Sequence, residues 1–277
     1  MNRVILNDEL NQIKSDLINS GFKVVRNFLD NNTISELKKI IEGKYNENIE
    51  SKISYKGIPE RDSKDRMVYS LQNLDKKFID LISSTEIESI LIPFLNDKYY
   101  RFIPEEEPNY ILNYFNARSS GNKLDLHIDS HIPYVGEHIF MMQVVFLLEK
   151  STIDNGCTIV VPGSHNSGKY TDRSIEKVTS LEGEPGDMII WDSRLWHGTT
   201  ENITSNTRWA IVSTFSQWWI KQANDIPKGL ENNVFKTLTD KQKQLLGFLS
   251  LPPKDPTKRV NTKCGYDFLK DNVNDFE

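Results

Sequence analysis

Apolar residues at helical spacing open the chain. Leu6, Leu10, Ile13 and Leu17 recur every three or four positions, which lines one face of an α-helix. Gly21 stands where such a helix would stop, because glycine adopts the left-handed conformation of a helix end at little cost. Phe22 to Leu29 then reads as a strand. Thr33-Ile-Ser-Glu36 has the form of a capping box and predicts a second helix through Leu37, Ile40 and Ile41. The polar stretch from Tyr45 to Asp65 has little periodicity and reads as a loop. Leu74 to Leu95 is helical again, ending near Pro93, which lacks the N–H to continue the ladder.

From Tyr99 to Trp219 the pattern changes. Short β-branched and aromatic runs are separated by turn clusters, among them Asp154-Asn-Gly156, Pro162-Gly-Ser164 and Glu184-Pro-Gly-Asp187. Many short strands punctuated in this way predict a mainly β sandwich or barrel with flanking helices. Beyond it a further capped helix starts at Thr239-Asp-Lys-Gln242, followed by Pro252-Pro253 and irregular sequence. The expected organisation is one domain spanning 1–277: a helical layer over 1–98, a β core over 99–220 and an extension over 221–277.

Composition narrows the partners. Of 277 residues 38% are hydrophobic, enough for a sizeable core, and the formal charge is −5 with no basic cluster. A nucleic-acid surface needs clustered Lys and Arg, so nucleic acid is not expected. The start has no apolar leader. The most apolar run, Ile139 to Leu148, is shorter than the ~20 residues that span a bilayer. The expectation is a soluble, cytoplasmic protein acting on a small molecule, of unspecified oligomeric state. Cys157 and Cys264 form no CxxC pair and read as free thiols, so any metal ligands must be histidines and carboxylates.

His127-Ile-Asp129 is the first string with chemistry in it. On a strand, residues i and i+2 share a face, which sets an imidazole beside a carboxylate. Two histidines and one carboxylate with open positions make the face that non-haem Fe(II) oxygenases use. His197, followed by Gly198, is the candidate third ligand; alone, it reads equally as a packed core histidine. Arg208, eleven positions later, enters an apolar strand. A guanidinium there is costly unless it meets an anion, and a dicarboxylate co-substrate would supply one. Gln143, mid-strand, either faces such a site or makes a fold-stabilising hydrogen bond, and Asn113 reads in the same way.

With these residues in place, the chain from Gly21 to Trp219 resembles the phytanoyl-CoA dioxygenase family of Fe(II)/2-oxoglutarate oxygenases. The resemblance rests on His127-Ile-Asp129, on Asn155-Gly-Cys-Thr-Ile-Val-Val-Pro-Gly-Ser-His165, and on His197-Gly-Thr199 with Arg208. It implies a double-stranded β-helix (a cupin-like jelly-roll barrel) with iron on His127, Asp129 and His197. It implies that Arg208, helped by Thr199, binds the distal carboxylate of 2-oxoglutarate; Gln143 and Asn113 stand beside these as candidate co-substrate contacts on their strand placement. The implied reaction consumes O2, hydroxylates a C–H bond and releases succinate and CO2. Asp129 argues against halogenation, for which relatives carry Ala or Gly in its place. His165 is implied to be structural. Arg66, Arg118, Lys123, His131 and Tyr134 are candidates for an anionic substrate, each also readable as a surface residue. The segments 45–65 and 130–137 are expected to border the substrate cavity. The alternatives are a metal-dependent cupin that does not use 2-oxoglutarate and a non-catalytic metal-binding jelly roll.

Overall fold

The computed structural model describes residues 3–50, 54–55, 58–59, 65–99, 103–104, 106–119, 121–172, 175 and 177–251. The expectations for Pro252-Pro253 and Cys264 lie outside them. The first helix, α1 (Asn7–Ser20), buries Ile13 and Leu17 and hands over at Gly21 to strand β1 (Phe22–Val25). Helix α2 (Asn31–Glu50) is capped by Asp30, whose carboxylate accepts from the Thr33 N–H at 2.7 Å, and not by Thr33 itself. It also runs further than the polar reading of 45–65 allowed. Tyr45 continues the buried row of Ile34, Leu37 and Ile41, and that row holds the helix to the core. Short strands β2 (Ser54–Tyr55) and β3 (Ile58–Pro59) and then β4 (Arg66–Tyr69) follow.

The helical stretch after Leu74 is two helices, α3 (Lys76–Ile82) and α4 (Thr85–Leu95). Pro93 lies inside the last turn of α4 and does not end it. The helix closes two residues later, with the Asn96 N–H donating to the Ile92 carbonyl at 3.2 Å.

The β core comprises β5 (Ile111–Ser119), β6 (Leu124–His127), β7 (Met141–Leu147), β8 (Thr158–Val160), β9 (Thr179–Leu181), β10 (Met188–Asp192), β11 (His197–Thr199) and β12 (Ala210–Ser216). They form two antiparallel sheets, in the orders β1-β10-β7-β12-β5-β4 and β6-β11-β8-β9. Alternation decides what faces where. Met142, Val144 and Phe146 of β7, with Ile211 and Phe215 of β12, join the large core under the helices. The residues between them, Val145, Leu147 and Ala210, turn inward with Ile189 and Trp191 of β10. Three short helices, α5 (Ile226–Gly229), α6 (Asn232–Phe235) and α7 (Asp240–Leu245), close the described chain, and Thr239 and Gln242 form the expected capping box. Among the described residues no helix is long and apolar enough to cross a membrane.

A buried histidine helps to tie α1 to the barrel, beside the Gly163 N–H, which donates to the Ser20 carbonyl at 2.9 Å. His165 is buried, its Nε2–H donates to the Ile18 carbonyl at 3.1 Å, and burial pushes its pKa down. Gly21, at φ 85°, leaves room for it: a Cβ there would stand 2.6 Å from the His165 Nδ1 and 2.9 Å from the Leu195 Cδ1. Gly21→Ala is therefore expected to lower stability by roughly 1–3 kcal/mol through overpacking, read as a lower urea midpoint. An unchanged midpoint would mean that His165 shifts freely and does not hold α1.

Candidate active site

A cavity of about 580 Å³ opens between the two sheets, within the usual range for small-molecule sites. One wall is the inward face of the larger sheet: Tyr114, Asn116 and Arg118 of β5, Val212 and Thr214 of β12, Gln143 and Val145 of β7, and Trp191 of β10. The other carries His127, Asp129, His197 and Thr199.

Backbone pairing brings the two histidines together. His197 of β11 pairs directly with His127 of β6, and their ring centroids are 4.2 Å apart. This close approach requires Gly198, since a Cβ there would lie 2.4 Å from the Leu124 carbonyl oxygen. His127 ends its strand, so Asp129 lies just beyond β6, fixed by its N–H donating to the Ser193 carbonyl at 2.8 Å. The His127 Nε2 is 3.5 Å from one carboxylate oxygen of Asp129, and the His197 Nε2 is 3.3 Å from the other.

The three side chains offer ligand atoms all within 4.8 Å of one another. Each histidine turns Nδ1 to the carbonyl two residues before it, Asp125 or Leu195, at 2.9 Å. That hydrogen bond keeps a proton on Nδ1 and leaves Nε2 facing Asp129, where it carries a second proton in the metal-free protein and, once that proton leaves, becomes the neutral ligand atom, as in metal-ligating histidines. Burial pushes the Asp129 carboxyl up, but the charge of His197 and hydrogen bonds from both imidazoles outweigh it and hold the group well below the usual range. Burial pulls His127 down, yet its contact with Asp129 leaves it raised. The donor set, two neutral nitrogens and one carboxylate, suits a divalent first-row metal with positions left open.

Arg208 lies in the same cavity, 5% exposed, and its Nε has no hydrogen-bond partner among the described residues. Burial, then the charge of Arg118, lowers its pKa to about 10. The Thr199 Oγ accepts from the Leu124 N–H at 3.1 Å, so its own hydrogen stays free to donate. Gln143 does both things the sequence left open: it faces the cavity, and its Oε1 accepts from the Thr214 hydroxyl at 2.7 Å.

Asn113 does not reach the cavity. It is skipped in the β5–β12 register, where Thr214 faces Tyr114 and Phe215 faces Leu112, which makes it the extra residue of a β-bulge. Its amide donates to the Ser216 Oγ and the Lys221 carbonyl. Asn116 lines the cavity from the same strand. Of the other candidates Arg118 also lines it, while Lys123 is exposed beside Asp125. No residue of 130–137 lines it. That loop is held by features the sequence reading missed, the buried Asp192–Arg194 pair at 2.6 Å and the guanidinium of Arg194 over the Tyr134 ring. Arg194 also donates to the Gly136 carbonyl at 2.8 Å. Trp191, beneath His197 with ring centroids 5.1 Å apart, was missed as well. Its place before Asp192 and a turn carried no signal beyond strand parity.

Among solved structures the fold is similar to HygX from Streptomyces hygroscopicus with nickel, 2-oxoglutarate and hygromycin B bound, at a TM-score of 0.60 and 14% identity over 79% of this chain and 90% of that one. It is also similar to the 2-oxoglutarate-dependent epimerase SnoN, at 0.57 and 14% over 76% and 84%. In sequence it is 24% identical to an uncharacterized protein of Mycobacterium tuberculosis over 88% of this chain and 89% of the relative. The expected double-stranded β-helix is borne out by these structural likenesses and the two-sheet topology. The family model described as phytanoyl-CoA dioxygenase (PhyH) matches residues 19–210, well over half of the chain and all of the cavity's metal-facing residues. This chain belongs to the phytanoyl-CoA dioxygenase family of Fe(II)/2-oxoglutarate-dependent dioxygenases and carries the facial triad as His127, Asp129 and His197.

Proposed function

We propose that the protein hydroxylates an unactivated C–H bond of a small organic substrate, consuming 2-oxoglutarate and O2 and releasing succinate and CO2. The observation that carries this reading is Arg208: a buried guanidinium whose Nε has no hydrogen-bond partner among the described residues, in the cavity that holds the triad. The likeness in fold to HygX, solved with nickel and 2-oxoglutarate, supports it.

His127, Asp129 and His197 would hold Fe(II). When bound, that ion supplies the chemistry the side chains lack, activation of O2 coupled to oxidative decarboxylation of the 2-oxo acid. Asp129 fills the anionic ligand position, which leaves none for a halide and favours hydroxylation. Arg208 pairs with the distal carboxylate of 2-oxoglutarate in a planar, bidentate manner, and the Thr199 hydroxyl donates to the same group. Val145, Ala210 and Val212 give that end of the cavity an apolar lining, where charge pairing is stronger than in water.

The test is metal-dependent co-substrate binding under anaerobic conditions, followed by succinate release in air. Fe(II) and 2-oxoglutarate are expected to raise each other's affinity, with slow succinate release lacking substrate and faster release with it. Binding of metal without any effect on 2-oxoglutarate would overturn the reading in favour of a cupin that does not use it.

A further inference from the structure

The cavity contains a second guanidinium that the chemistry above leaves unused. Arg118 projects from β5 on the same inward face as Asn116 and stands opposite Ala210 in the β5–β12 ladder. Its Nε is buried without a hydrogen-bond partner, and so is the amide Oδ1 of Asn116 two residues away. Among the described residues the Arg118 side chain makes no hydrogen bond or ion pair. The nearby carboxylate of Asp65 accepts from the backbone N–H groups of Gly121 and Asn122. A half-buried guanidinium whose Nε is out of water and unpaired is placed to take an anionic ligand.

Charge matching says which ligand. This step rests on the assignment of 2-oxoglutarate to Arg208. Both carboxylates of that co-substrate would then be accounted for, the distal one by Arg208 and Thr199, the one beside its keto group by a metal held on the triad. Arg118 is left for a third oxyanion. It is half-buried, whereas Arg208 is 5% exposed, and its neighbour Asn122 is exposed on the cavity lining. Arg118 therefore lies towards the rim, where a molecule arriving after the co-substrate would sit.

We propose that Arg118 and Asn116 form the substrate-recognition site, and that the substrate is an anionic small molecule. Its carboxylate or phosphate pairs with the guanidinium, whose planar fork matches either group. An adjacent hydroxyl or amino hydrogen is accepted by the Asn116 Oδ1. The oxidised carbon and that anionic group belong to one molecule that fits the cavity, because the cavity contains both Arg118 and the triad.

The experiment uses anaerobic protein loaded with Mn(II), in place of Fe(II) to prevent turnover, and saturating 2-oxoglutarate. Acetate, inorganic phosphate and methyl phosphate are compared with chloride at equal ionic strength, with thermal midpoint as readout. The expected result is stabilisation by the oxyanions in the wild type and none in R118Q. N116D, which keeps Arg118 but sets a carboxylate beside it, should lose the response as well. The 2-oxoglutarate affinity of R118Q should stay within about twofold of wild type, a difference of well under 1.4 kcal/mol. No oxyanion effect in the wild type would overturn the proposal. So would a loss of 2-oxoglutarate affinity in R118Q of about tenfold or more, since Arg118 would then belong to the co-substrate. Failure of the underlying assignment has a separate signature: R208Q would bind 2-oxoglutarate normally.

Discussion

A His197→Ala protein is expected to bind Fe(II) at least about a hundredfold more weakly than wild type, beyond the 10–100-fold that loss of an outer-shell partner costs. His197 is the most buried of the three ligands, with a side chain 7% exposed against 35% for His127 and 30% for Asp129. It is also the ligand that the Leu195 carbonyl and the Trp191 ring hold in place. Its removal leaves one imidazole and one carboxylate, too few to anchor an ion that must keep positions open for reactants. Anaerobic titration with Fe(II) reads the effect. The control is His165→Ala, which deletes another buried histidine and should reduce stability while metal affinity persists. Wild-type affinity in His197→Ala would refute the assignment of this residue as a ligand.

Arg208→Gln is expected to weaken 2-oxoglutarate binding by about 2–5 kcal/mol, the usual cost of truncating one partner of a buried charge pair. That is a factor of tens to thousands. Metal affinity measured without 2-oxoglutarate should not follow it, because no triad residue changes. The stability of the metal-free protein should hold or rise, and the sign follows from the pKa. Burial and Arg118 lower the Arg208 pKa from its ordinary value to about 10, so at neutral pH the charged form opposes folding and its deletion removes that opposition. Thr199→Ala should act in the same direction on 2-oxoglutarate, by about 0.5–1.5 kcal/mol for one neutral hydrogen bond. Calorimetric titration with 2-oxoglutarate separates the two, and equal affinity in Arg208→Gln and wild type would move the co-substrate elsewhere.

The grouping of the triad, and the placing of Arg208 in its cavity, were legible in the sequence because they lie in residue type and chain order, which folding leaves unchanged. The β core was legible for a related reason: turn clusters and short apolar runs act locally. What escaped depended on geometry that no local pattern records. Asn113 read as a lesser counterpart of Gln143, but a bulge at that one position sends its amide away from the cavity, and Tyr114, Asn116 and Arg118 line it. A single inserted residue reverses every assignment made by alternation. The end of α2 was misjudged because the polar residues around Tyr45 masked an apolar row that continues through it. The Asp192–Arg194 pair could not be inferred either. Its role depends on the 130–137 loop folding back over Arg194, a contact between segments more than fifty residues apart in sequence.

The triad's uneven burial bears on how an ion would come and go. His127 ends β6, the edge strand of its sheet, and Asp129 follows it in a loop, whereas His197 sits on β11, between β6 and β8. The two more exposed ligands thus lie on the solvent side of the site and the buried one on the side of the core. A chelator would therefore be expected to meet His127 and Asp129 first, with His197 held between its two neighbouring strands.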